Sequence, residues 1–156
     1  MSGTFARTTP ARRLDPVLDF LQLLWSVEHG LQSASKRMEA SLGITGPQRL
    51  VLRIVGRFPG VSAGELAHIV QLHPSTITGI LQRLVARGLL VRERDPRDNR
   101  RVRLRLRTAA RGFTRPSSGM VERAVTKALA GVSAPQVRAA RAVLSAVAAA
   151  LKDDGD

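Results

Sequence analysis

Residues 72–106, LHPSTITGILQRLVARGLL (72–90) running directly into VRERDPRDNRRVRLRL (91–106), decide how this chain folds. On a wheel of about 100 degrees per residue, Ile77, Ile80, Leu81 and Leu84 fall together on one side of a helix spanning 74–87. The other side carries Ser75, Thr78, Gly79, Gln82 and Ala86, with Arg83 on its flank. A merely solvated helix usually carries long charged side chains there. Short ones let the backbone approach a surface closely, while hydroxyls, an amide and one guanidinium offer contacts to base edges and phosphates. Thr76 sits in the first turn, beside the free N–H groups that attract a phosphate. Pro74 suits that turn because its missing N–H costs nothing there, and Gly88 closes the helix.

Beyond Gly88 the period changes to two. Leu89 and Val91, then Val102, Leu104 and Leu106, alternate with arginines, which predicts two half-buried strands over 89–107. Asp95 to Arg101 is polar and turn-prone, a natural hairpin tip. From Arg87 to Arg107 nine arginines face three acids, a net +6 that is nearly half of the chain's formal +13. Arginine at such a tip can enter a narrow minor groove, where the potential is most negative. Arg103 and Arg105 read equally well as charges that keep an edge strand from pairing with another sheet, or as contacts to the DNA backbone.

Upstream, Ser62 and Glu65 form a capping box that opens a short helix from Ala63 to about Val70, and a break at Gln71 to His73 separates it from the helix at 74. Helix, short turn, helix is the helix-turn-helix order; a purely structural helical hairpin is the alternative. Thr45 and Gln48, with Pro47 between them, cap an earlier helix that Phe58-Pro59-Gly60 ends. A long first helix from Pro16 to about Leu42 carries Phe20, Leu21, Leu24, Val27, Leu31 and Met38 at helical spacing, with Gly43 as its stop.

After the strands, helix resumes near Thr108, is interrupted at Pro116, and continues from Met120 to about Ala130. A third capping box, Ser133 with Gln136, opens a last helix to about Lys152 with Val137, Ala140, Val143, Leu144, Val147 and Leu151 on one side. The first and last helices offer more apolar surface than a small winged domain needs, which favours dimerisation over use as core. The expected fold is mainly α with a small β-wing. Residues 1–13 are a flexible basic arm, 14–44 and 108–152 dimerisation helices, and 45–107 the DNA-binding region between them.

Composition narrows the function. The 156 residues suit one domain, and a sequence pI near 11.8 points to a polyanionic partner. Lys36, Lys127 and Lys152 are the only lysines, so arginine, whose planar fork matches phosphate or a guanine edge, supplies nearly all the charge. A coding bias toward arginine is an equal alternative for the overall excess, but it does not explain the clustering. The absence of cysteine removes disulfides, thiol redox sensing and thiolate metal sites. There is no apolar signal region at the N-terminus, and Val143 to Leu151 falls short of the roughly 20 residues a membrane helix needs, so a soluble, cytoplasmic protein is expected. Glu65, His68 and His73 are too few for a closed zinc site, and no nucleophile with its base, phosphate-binding loop or carboxylate pair is present. Neither metal, cofactor nor catalysis is expected.

The succession Ser75-Thr-Ile-Thr78, Leu84-Val-Ala-Arg-Gly-Leu-Leu90, Asp95-Pro-Arg-Asp-Asn-Arg100 and Thr108-Ala-Ala-Arg-Gly112 resembles the multiple-antibiotic-resistance regulator (MarR) family of winged helix-turn-helix proteins, from about residue 16 to 152. The resemblance implies a homodimer whose first and last helices entwine, a recognition helix at 74–87 and a wing at 89–107. It implies that Arg100 enters the minor groove, held by an ion pair to Asp98, with Arg97 and Arg101 in support. It further implies a pocket for a small aromatic acid or phenol, for which Trp25, His29, Arg111 and Phe113 are candidates; a tryptophan in a helix seam and a partly buried histidine are the plainer readings. The expected function is a sequence-specific transcriptional regulator, in this family most often a repressor of a near-palindromic operator. A non-specific architectural DNA-binding protein and a protein-binding winged helix are the alternatives, with a small-molecule enzyme a distant third.

Overall fold

Residues 14–115 and 120–153 are described in a computed structural model of the chain; the basic arm at 1–13 and the interruption at Pro116 lie outside them. Helix α1 spans Pro16–Leu42, α2 Gly46–Arg57, α3 Ala63–Val70 and α4 Pro74–Ala86. Strands β1 (Leu90–Asp95) and β2 (Asp98–Leu106) follow, then a 3₁₀ turn over Thr108–Phe113 and helices α5 (Met120–Leu129) and α6 (Ala134–Asp153).

The helix starts have local causes. Asp15 caps α1 by accepting from the N–H groups of Val17 and Leu18 at 3.0 and 3.1 Å. Thr45 with Gln48, Ser62 with Glu65 and Ser133 with Gln136 make reciprocal capping boxes, each cap contributing about 1 kcal/mol. Gly43 ends α1 at φ +70, a conformation glycine adopts without strain, and its N–H reaches Glu39 O at 2.8 Å. Gln71 does the same for α3 at φ +56, unusual for a residue with a side chain.

The hairpin differs from expectation in two respects. On β1 the fully buried residue is Leu90, paired with Leu106, while Val91 is only half-buried. The inward phase of β1 is therefore one residue away from the alternation read from Leu89 and Val91; Leu89 is buried too, but as part of the turn leaving α4. The tip is also shorter. Pro96 and Arg97 alone form the turn, and β2 resumes at Asp98. Arg94 pairs with Val102 but Asp95 with Asp98, so Asn99, Arg100 and Arg101 form a bulge with no residues opposite them. The far edge of β2 is covered by backbone alone: Gly60 N–H donates to Leu104 O, and Leu104 N–H to Val61 O, both at 2.9 Å.

One core unites α2, α3, α4 and the wing. Ile44, Val51, Leu52, Val55, Leu66, Ile77, Leu81, Leu84, Leu90, Leu104 and Ala110 are buried in it, with Met38 entering from α1. The long flanking helices are otherwise bare. Val17 is 74%, Trp25 60% and Leu151 70% exposed, and Leu23, Val27, Leu31, Val125, Leu129, Val143 and Leu144 are exposed as well. The stripe expected to be buried on α6 is present as a face, but only Val137 and Val147 of its large side chains are even half covered within the chain. No described helix is long and apolar enough to cross a membrane.

Candidate nucleic-acid interface

Helix α4 is pinned by Ile77, Ile80, Leu81 and Leu84, all buried, and this fixes what it presents outward. Ser75, Thr76, Thr78, Gln82 and Arg83 are exposed and Gly79 is half-buried, with nothing but its chain neighbours and its own helix's backbone within 4 Å of where its Cβ would be. Two of the hydroxyls already have local roles. His73 caps the helix, its Nδ1 accepting from Ser75 N–H at 3.2 Å and lying 2.7 Å from Ser75 Oγ. Thr78 Oγ1 donates to Pro74 O at 2.9 Å, so toward a ligand it can only accept. Gln82 and Arg83 have no such commitment among the described residues. Sequence reading missed the capping histidine; its one signal was a position immediately before a proline that starts a helix.

The wing explains its own repeated Asp-x-Arg sequence. Asp95 Oδ1 accepts from Arg97 N–H at 2.9 Å and Asp98 Oδ1 accepts from Arg100 N–H at 3.0 Å, two successive Asx turns that shape the tip. The ion pair expected between Asp98 and Arg100 is not formed in this structure. Asp98 instead meets the Arg101 guanidinium, at 3.6 Å and largely in solvent. Its hold on Arg100 is through the backbone, because the tight Asx turn directs that side chain's own main-chain N–H, rather than its guanidinium, at the carboxylate. Arg97 and Arg100 are exposed, with no ion pair or side-chain hydrogen bond among the described residues.

Asp95 is the anchor of this hairpin. It is buried, and besides its turn it binds Arg103 Nε at 2.7 Å. The Arg97 N–H holds its carboxyl below the usual carboxylate range, against the opposing effect of burial, and Arg103 adds to the lowering. Arg103 is thus a structural partner of Asp95 rather than an edge charge, and Arg105 pairs across the strands with Glu93 at 3.0 Å. The backbone N–H and hydroxyl of Ser62 likewise hold Glu65 below its ordinary value, so that carboxylate is occupied as a helix cap. Among the described residues no group of three or more His, Cys, Asp or Glu side chains could hold a metal.

Helix and wing form one surface. Thr78 shares a cleft of about 360 Å³ with Arg92, Glu93, Arg94, Val102, Leu104 and Ala63. The candidates for a small-molecule pocket are more scattered. Trp25, His29 and Arg111 are exposed, whereas Phe113 packs against the core. None of the four lines that cleft or a larger one of about 540 Å³ between the α3–α4 turn and the end of α6.

A buried polar residue that sequence reading missed is Arg49, only 1% exposed on the core face of α2. It binds Glu122 of α5 and the carbonyls of Phe113 and Arg115. The signal was an arginine three residues before Leu52, on the apolar face of an amphipathic helix.

The chain matches the model of the MarR family over residues 42–101, which spans the helix-turn-helix and the wing tip. It is 28% identical to an HTH-type transcriptional repressor of Mycobacterium tuberculosis over 116 residues, 74% of this chain and 84% of that protein. Among solved structures it resembles the PcaV transcriptional regulator of Streptomyces coelicolor, crystallised with its natural ligand, at TM-score 0.69 and 27% identity, covering 90% of this chain and 99% of that one. The S. aureus MepR–DNA complex shares the fold at TM-score 0.66 and 20% identity, covering 85% and 95%. A mostly helical chain with a two-stranded wing, a family match over its helix-turn-helix and wing tip, and neighbours of one architecture agree: residues 42–101 of this chain match the MarR family of transcriptional regulators, and the chain shares the winged helix-turn-helix fold of its structural neighbours.

Proposed function

We propose that the chain works as a homodimeric repressor, placing two α4 helices in successive major grooves of a near-palindromic operator and two wings in the flanking minor grooves. The observation that carries this reading is the continuity of the α4 face with the wing: exposed Gln82 and Arg83, acceptor Thr78, and then the uncommitted guanidinium groups of Arg97 and Arg100. Ser75, Thr76, Thr78, Gly79 and Gln82 face the bases and first phosphates, Arg97, Arg100 and Arg101 the minor groove, and Asp98 shapes the tip. The unpartnered apolar faces of α1, α5 and α6 support the dimer. The role is regulatory, not enzymatic, as the names of the relatives suggest.

Release by a small aromatic acid or phenol is the mode of control proposed. Trp25, His29 and Arg111 would enter a pocket only when a second protomer covers α1, since within one chain they stand open. A ligand there acts by favouring a dimer in which the two α4 helices are wrongly spaced for the operator. Competition titration at fixed salt tests the reading: an operator should outcompete random duplex by at least about 10³-fold. Equal competition by random duplex would instead make this an architectural DNA-binding protein.

A further inference from the structure

The winged domain ends at the 3₁₀ turn, and the chain leaves it to build α5. One side chain grips both sides of that exit. Arg49, buried on α2, donates through Nη1 to Phe113 O at 2.6 Å, through Nη2 to Arg115 O at 2.8 Å and through Nε to Glu122 Oε1 at 3.1 Å. Arg53, one turn further along α2, donates to the same Glu122 oxygen at 2.9 Å. Glu122 lies in the first turn of α5, and its other oxygen is buried without a hydrogen-bond partner.

Burying a guanidinium is unfavourable unless its donors are satisfied in good geometry, and here all three nitrogens have an acceptor. The planar fork makes the arrangement directional: rotating α5 against α2 would break Glu122 from Arg49 while the carbonyls of Phe113 and Arg115 held the guanidinium in place. Helix α4 packs on α2 in the same core, so the α2–α5 angle also sets where α4 lies relative to the helices that would join the protomers. Displacement grows with distance from the joint, and shifting α4 by no more than the roughly 3.4 Å rise of one base pair is enough to put two half-sites out of register.

We propose that Arg49 and Glu122, assisted by Arg53, are positioning residues for DNA reading: a buried joint that fixes the angle between the winged domain and the dimerisation helices, and through it the half-site spacing the protein accepts. This rests on the homodimer reading above. None of the three needs to touch DNA.

The test is a spacer profile. Full-length wild type and Glu122→Gln are titrated against duplexes whose two half-sites are separated by the optimal spacer, by one base pair fewer or by one more, and against a single half-site. Sedimentation of the free proteins is measured in parallel. Glu122→Gln should remain a dimer and keep its single-half-site affinity within about twofold, yet lose roughly tenfold on the optimal duplex, as expected for one broken charge-assisted contact, and discriminate less between spacers. A profile identical to wild type would overturn the joint. So would an equal loss on every duplex, half-site included, which marks a merely structural pair. Should Glu122→Gln fail to fold, Arg53→Ala, which leaves the Arg49 contacts intact, should broaden the spacer profile in the same direction by a smaller factor, and an unchanged profile there would also overturn the joint. A wild type that is monomeric and indifferent to spacer would instead sink the dimer reading itself, and the joint with it.

Discussion

The winged region and the helices that flank it are built from similar apolar periodicities, yet they end in opposite states. Between Ile44 and Ala110 the apolar faces of α2, α3, α4 and the wing close on one another, leaving Leu52, Leu66, Leu81 and Leu84 without solvent contact. On α1, α5 and α6 comparable stripes of Leu, Val and Trp lie open. A hydrophobic stripe therefore states that a face will be covered, but not by what. The first region is completed by its own chain, and the second is left open for the second copy that the proposed homodimer supplies.

This contrast can be broken experimentally, and the largest effect should come from the closed region. Leu81→Ala should cost about 2–5 kcal/mol of folding stability through the cavity it leaves, at every protein concentration, as read by denaturant titration. A marked concentration dependence of that loss would mean the winged core is not self-contained. Leu144→Ala, on the open face of α6, should leave that core intact but weaken dimer formation by about 1.5–3 kcal/mol per buried side chain, seen in sedimentation as a raised dissociation midpoint. An unchanged midpoint would free α6 from the interface.

On the DNA side, Arg100→Ala should weaken operator binding by about 1–3 kcal/mol for each wing and lower the salt slope by about two, one for each wing, without altering the dimer. Asp98→Ala should act in the same direction by releasing the Asx turn that aims the tip. If Arg100→Ala leaves affinity and slope untouched, the wing assignment is wrong.

The smallest effect concerns acid. Burial tends to raise the Glu122 carboxyl, but its own backbone N–H together with Arg53 and Arg49 outweighs this and holds it below the ordinary 4.5. Its stabilising contribution is therefore complete above the unfolded value and is lost as pH falls through the lower folded one. Glu122→Gln should flatten that part of the acid-unfolding curve and leave neutral-pH dependence unchanged. A variant that instead loses stability between pH 6 and 8 would contradict the ion pair's role.

Much of the fold was legible because its signals are local. The capping boxes at Thr45, Ser62 and Ser133, the stop at Gly43 and the amphipathic face of α4 all act within four residues. What stayed hidden depends on distant partners. Arg49 finds its acceptors 64 to 73 residues away, so its place on the apolar face of α2 marks it as unusual but nothing near it in the chain announces what satisfies it. The edge of β2 is covered by the backbone of Gly60 and Val61, which leaves no side-chain signature. The inward phase of β1 was misjudged because Leu89 and Leu90 are both buried, one in a turn and one in a strand. In the candidate interface the residue types were readable, but their commitments were not: Ser75 to His73, Thr78 to Pro74, and Asp98 to the backbone of Arg100.

Selection of bound sequences from a random duplex pool probes both regions at once, because in the proposed dimer the winged region would write the half-site and the flanking helices the spacing. A near-palindrome with half-site centres about 10–10.5 base pairs apart, one helical turn, is the predicted result. Recovery of a single asymmetric motif, or of no consensus, would contradict a protein that reads DNA as a symmetric pair.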